Sequence, residues 1–190
     1  MEIASALREQ YHAGLAMLAQ CIQQCPDDLW RDPNPRNPVP ANTADDAWNV
    51  HARSFWRIAF HAVFFTHLYL GQDEATFQAP SEGLVVKSRE DLAALWVAPW
   101  AVEPYELPEA TEPLTQEQLL EYLDFVDASI DPTVDGLDLY REDSGFSWYQ
   151  NISKLSHQIL NIRHLQGHVG QLSELLMLRG IDIRWRSRGA

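Results

Sequence analysis

Four stretches with apolar residues at three- and four-residue steps, separated by segments dense in proline, leave this chain little to fold into except a set of packed helices. The first runs from about Glu2 to Cys25, with Ile3, Leu7, Tyr11, Leu15, Leu18 and Ile22 on one face. Five prolines between Pro26 and Pro40 end it and predict an irregular loop. The second helix is expected to begin near Asp45 and Asp46, whose negative charge suits a helix N-terminus, and to stop after Leu70 at Gly71. The third starts at Thr115, where TQEQ has capping-box spacing, and is expected to end near Ile130, with DPTVDG as a turn. The fourth and longest ends at Gly180. Strand-like alternation is confined to LDLY and IDIRW, each too short to build a sheet. The expected class is all-α, a four-helix bundle in a single domain over 1–190.

The segment from Gln72 to Pro113 carries five prolines and room for one short helix across Arg89 to Trp96. A connection that long in a compact domain tends to cover something, and Trp96, Trp100 and Tyr105 are expected to pack over the mouth of the bundle.

Charge excludes one class of partner. The 190 residues carry a net charge of −13, and no cluster of Lys and Arg could neutralise a run of phosphates, so nucleic acid is not an expected partner. The C-terminal Arg179, Arg184, Arg186 and Arg188 read as a helix end and a solvated tail. The first twenty residues lack the basic-then-apolar pattern of a signal peptide, and the most apolar stretch, Ile58 to Leu70, is interrupted by His61, Thr66 and His67. A soluble, cytoplasmic protein with no membrane partner is expected. Cys21 and Cys25, spaced i, i+4, read as small core residues, because a CxxxC without further ligands is a weak metal signal.

Seven histidines remain to be explained. At about 100° per residue, His164 and His168 lie roughly 40° apart on adjacent turns of the last helix, so both imidazoles can reach one ion. The same stripe gathers His157, Asn161 and Gln171 and holds no charged residue, although Lys and Glu are usual on a solvated face. On the second helix, His61 shares its face with Ile58, Phe65 and Leu68, whereas His67 is rotated by about 120°. One inward histidine from one helix and two from another make a set of three with a coordination position left over, as in catalytic rather than structural zinc sites. The alternative is that these are boundary residues hydrogen-bonded to their neighbours.

The last helix, NIRHLQGHVGQLSELLMLRG, closely resembles the signature helix of the DinB-like superfamily of metal-dependent proteins, and WRIAFHAVFF resembles that family's second helix. SGFSWYQ and EPLTQEQLLEYLDFVD extend the resemblance over essentially the whole chain. It implies an up-down-down-up bundle whose long crossover is the 72–113 segment, and a divalent ion (zinc, nickel or iron) on His61, His164 and His168. Many relatives carry a further His where this chain has Gly167, a position outside the ligand set. The family has no single activity. Some members are thiol-dependent isomerases or transferases using low-molecular-weight thiols such as mycothiol or bacillithiol, and others are domains of sulfur-transfer enzymes.

What the resemblance implies is therefore a metal-dependent enzyme for a small-molecule substrate, with a homodimer as its expected assembly. His157 and Asn161 are candidates for contact with ligand or metal-binding side chains, and Trp96 and Trp100 candidates to cover a second substrate. The competing expectation is a non-catalytic, dimeric, stress-related bundle, with or without metal.

Overall fold

The computed structural model describes residues 3–32 and 54–189. Among them are four long helices, α1 (Ile3–Gln24), α3 (Phe55–Leu70), α6 (Gln116–Asp135) and α7 (Lys154–Met177), with α2 (Asp27–Trp30), α4 (Val85–Ser88) and α5 (Ala93–Val97) as short pieces between them. Single 3₁₀ turns occupy Glu74–Thr76, Glu90–Leu92 and Pro104–Glu106. No strand occurs among the described residues, and none of their helices is long and apolar enough to cross a membrane. The expected helix start at Asp45 and Asp46 lies outside the described residues.

All sixteen residues of α3 are buried. It packs on α7 and α6, and α1 packs on the same two helices. Polar contacts fix the registers. Arg8 and His12 of α1 pair with Asp135 and with Asp127 and Asp131 of α6, while Gln116 reaches the carbonyls of Ile22 and Cys25. Tyr11 of α1 donates to Gln158 Oε1 of α7 at 2.7 Å, and Leu165 of α7 packs so close to Gly14 that a Cβ there would lie 2.8 Å from it. The Gln158 amide in turn donates to the carbonyl of Tyr69 and that of Asn161 to the carbonyl of Thr66, tying α7 to the end of α3. The bond to Tyr69 supplies a donor to the last turn of α3, where helix carbonyls run out of backbone partners.

Three boundaries differ from expectation, each for a local reason. The chain after Pro26 forms the single turn α2, because the buried Trp30 docks and donates its indole N–H to the Leu114 carbonyl at 2.8 Å. Helix α6 does not stop near Ile130 but runs through Pro132 to Asp135. Proline removes one helix hydrogen bond but keeps a helical φ, and Val134, 1% exposed, anchors the extra turn in the core. The single helix expected over Arg89 to Trp96 is divided into a 3₁₀ turn and α5. Helix α7 ends at Met177, a little before the expected Gly180, but that glycine does close it: Gly180 has φ +74°, and the Ile181 amide reaches back to the Leu176 carbonyl at 3.0 Å.

Beyond α7 the tail returns along α1, where Arg184 pairs with Gln20 through both backbone groups and the Gly189 amide reaches the Glu9 carbonyl. Arg179 forms an ion pair with Asp28. Cys21 and Cys25 are buried free thiols whose burial raises each pKa to about 12, so they behave as inert core residues.

Candidate metal centre

The α3–α7 seam carries the three histidines. His61 comes from the middle of α3, His164 and His168 from adjacent turns of α7, and one ring nitrogen from each lies within 4.8 Å of the other two, a group that can hold a metal ion. His164 Nε2 is 3.2 Å from His61 Nε2 and 3.0 Å from His168 Nε2. The rings of His164 and His168 stand nearly perpendicular, at 84°. Burial, reinforced by the neighbouring imidazoles, lowers the pKa of His61 well below the ordinary value and that of His164 to about 4; burial also lowers that of His168. The trio is therefore neutral at pH 7, which is the state that binds a metal.

The fit of a cation follows from proton counting. The Nδ1 of His168 donates to Gln171 Oε1 at 2.8 Å, so its Nε2 presents a lone pair. One proton on His164 or His61 can serve one of the two Nε2 contacts and leaves the other with no proton between its nitrogens. A cation among the three accepts every lone pair at once. Nitrogens each about 2.0–2.1 Å from one ion lie roughly 2.9–3.4 Å apart for angles from right to tetrahedral, which brackets both contacts of His164 Nε2.

The surroundings fix the rings. Tyr105 stacks on His61 with centroids 4.0 Å apart and planes inclined by 11°, while Phe65 packs at 4.5 Å. Tyr105 sits in the 104–106 turn, which Arg57, 2% exposed, holds against α3 by donating to the carbonyls of Pro104, Leu107 and Pro108. Burial lowers the pKa of Arg57, yet three carbonyls satisfy it. Arg57 is the one Lys, Arg, Asp or Glu of α3, and that lone charge in an apolar run was the sequence signal for this clamp. Gln171 was visible as part of the uncharged stripe, but its role in orienting His168 was not.

The remaining candidates make other contacts. The Asn161 side-chain amide donates to the Thr66 carbonyl, and its Oδ1 is buried without a hydrogen-bond partner. His157 is fully buried, stacked on Phe146 at 4.7 Å and flanked by Tyr69 and Tyr149. Tyr69 is the ring common to the two regions, touching His157 at 5.3 Å and His164 at 6.4 Å. Of the loop aromatics, Tyr105 alone stacks on the trio. Trp96 is buried in the core against Phe60, Phe64 and Tyr122, with its indole N–H on the Val86 carbonyl, and Trp100 is 53% exposed. The expectation that Trp96 covers the mouth of the bundle is thus corrected: three aromatic neighbours and a backbone acceptor draw it inside.

No protein-family model matches the chain, and neither does any curated protein or solved structure.

Proposed function

We propose that this chain is a metal-dependent enzyme of the DinB-like superfamily that holds one divalent ion on His61, His164 and His168 and acts on a small molecule together with a low-molecular-weight thiol. The observation that carries the reading is the meeting of three neutral imidazoles at 3.0 and 3.2 Å with too few protons to satisfy their nitrogens. Zinc, nickel and iron all suit three nitrogen donors. Bound there, such an ion would act as a Lewis acid and favour the thiolate form of a coordinated thiol.

The chain's own contribution is positional. Gln171 holds His168 in the tautomer with a free Nε2, Tyr105 and Phe65 fix the plane of His61, and Arg57 holds the turn that carries Tyr105. The proposed fold is the family's four-helix bundle. Contacts of Arg8 with Asp135 and of Gln116 with Ile22 fit α1 and α6 running in opposite directions, and those of Tyr11 with Gln158 and of Gly14 with Leu165 fit α1 and α7 running alike. With the contacts of Gln158 with Tyr69 and of Asn161 with Thr66, which fit α3 and α7 running in opposite directions, these registers support an up-down-down-up order with 72–113 as the crossover.

Metal analysis of protein purified without a His-tag, before and after chelation and reconstitution, tests the reading. About one ion per chain is expected, with thiol-dependent turnover of an electrophile panel only in the loaded form. A stoichiometry near zero that reconstitution does not change would overturn it.

A further inference from the structure

Helices α1 and α6 are joined by polar contacts of two kinds. Arg8 on Asp135, and Gln116 on the carbonyls of Ile22 and Cys25, bring donors whose charge is the same throughout the neutral range, since neither a guanidinium nor an amide titrates there. His12 is different. Its Nδ1 lies 2.7 Å from Asp127 Oδ1 and its Nε2 3.1 Å from Asp131 Oδ1, two carboxylates one turn apart on α6.

An ionised carboxylate accepts hydrogen bonds and donates none, so each ring nitrogen bonds its aspartate only by carrying a proton. A neutral imidazole has one such proton and would turn a lone pair toward the other carboxylate. The cation has two and satisfies both. His12 is thus the converse of the trio on the α3–α7 seam: its nitrogens meet acceptors, and what completes the contact is a proton.

The charges around the ring favour that proton. Arg8, one turn earlier on α1, brings its Nε within 3.7 Å of Asp131 but gives its closest contact to Asp135. The C-terminal tail closes over the same place, with the Gly189 amide on the Glu9 carbonyl, Arg188 as the preceding residue, and so little room that a Cβ on Gly189 would lie 2.4 Å from His12 Cβ. Burial alone would lower the pKa of His12, but the hydrogen bonds and charges of Asp127 and Asp131 outweigh it and raise the value above the ordinary one. Among the described histidines His12 moves alone in that direction, since burial lowers the pKa of His61, His67, His157, His164 and His168.

We propose that His12 is a pH-sensitive lock between α1 and α6, closed while its imidazolium bridges Asp127 and Asp131 and opened when rising pH removes one ring proton and the charge that holds both aspartates. A histidine whose pKa is higher folded than unfolded adds stability that is fully present below the unfolded value, about 6.5, and is lost as the pH rises through the folded value. Buried neutral histidines act with the opposite sign. The lock does not depend on a metal at the trio.

Long-range ¹H–¹⁵N NMR of the histidine side chains over a pH series tests it, with the His12 signals assigned by their loss in His12→Asn. At about pH 6.5, where an ordinary histidine is half protonated, His12 is expected to be protonated on both nitrogens in most molecules, and its titration midpoint to lie higher. Asp127→Asn combined with Asp131→Asn should bring that midpoint down. Urea unfolding of the unchanged chain and of His12→Asn, compared at equal pH, should show an advantage for the unchanged chain that is largest in mild acid and shrinks as the pH rises through the His12 titration. Should His12→Asn fail to fold, the titration of the unchanged chain, assigned through the aspartate variants, decides. A neutral His12 ring at about pH 6.5, a midpoint at or below that value, or a midpoint that the paired aspartate variant leaves in place would overturn the proposal. So would a stability advantage that stays constant across the series.

Discussion

Helix α3 buries two histidines six positions apart, and the difference between their surroundings separates a candidate metal ligand from a structural residue. His61 and His67 are 6% and 9% exposed, and burial lowers the pKa of both. His67 meets the hydroxyl of Tyr122 at 2.9 Å, a group able to donate or accept, so its Nδ1 is satisfied by one ordinary hydrogen bond. His61 meets other imidazoles, and its Nε2 faces a nitrogen that is already shared with His168. Burial and a depressed pKa alone therefore do not identify a metal site. What identifies it is an excess of lone pairs over protons in one small volume.

The largest effect that would break this comparison is on metal affinity. His164→Ala removes the central nitrogen and should lower affinity by about a thousandfold or more, since two nitrogens rarely hold a divalent ion. His67→Phe should leave metal affinity unchanged. A competition assay with a fluorescent chelator reads both, and comparable losses from the two variants would erase the distinction drawn here.

Acid should then expose what the two faces share. The pKa of His67 is lowered to about 4 and that of His157 to about 3, against about 6.5 in the unfolded chain. Between these values the unfolded state binds more protons, so stability must fall as pH drops from about 6.5 toward 3–4 and must be fully regained above it. His67 contributes up to about 3 kcal/mol to that loss and His157 up to about 5 kcal/mol. Urea melts at pH 7 and pH 4.5 should show a shallower acid loss for His67→Phe than for the unchanged chain; identical slopes would mean that His67 is not buried as a neutral ring.

The helical class and the three histidines were legible in the sequence because both depend on the 3.6-residue period: His164 and His168 meet one turn apart, and His61 and His67 part by about 120°. What was not legible depended on contacts between segments far apart in sequence. Trp96 gave no sign that Phe60 and Tyr122 would enclose it, and Pro132 looked like a helix end because Val134's place in the core is a tertiary fact. His157 shared the stripe of His164 and His168 but belongs with Phe146 and Tyr149, since a stripe about four turns long spans more than one environment.

Smaller effects sharpen the comparison on each side. Gln171→Leu releases His168 Nδ1 and should weaken metal binding about 10- to 100-fold with little change in folding stability; an unaltered affinity would show that His168 needs no orienting partner. Tyr122→Phe removes the hydroxyl from His67 and should cost about 1–3 kcal/mol of stability, read by urea denaturation, while metal content is unaffected. A metal loss in Tyr122→Phe would mean that the two faces of α3 are not independent.

The central claim is that lone pairs on three particular nitrogens await one cation. Element-specific anomalous diffraction from crystals of the reconstituted, tag-free protein addresses it most directly. The expected result is a single peak about 2.0–2.2 Å from Nε2 of each of His61, His164 and His168. A peak beside His67, or crystals grown with excess metal that show none at the trio, would contradict it.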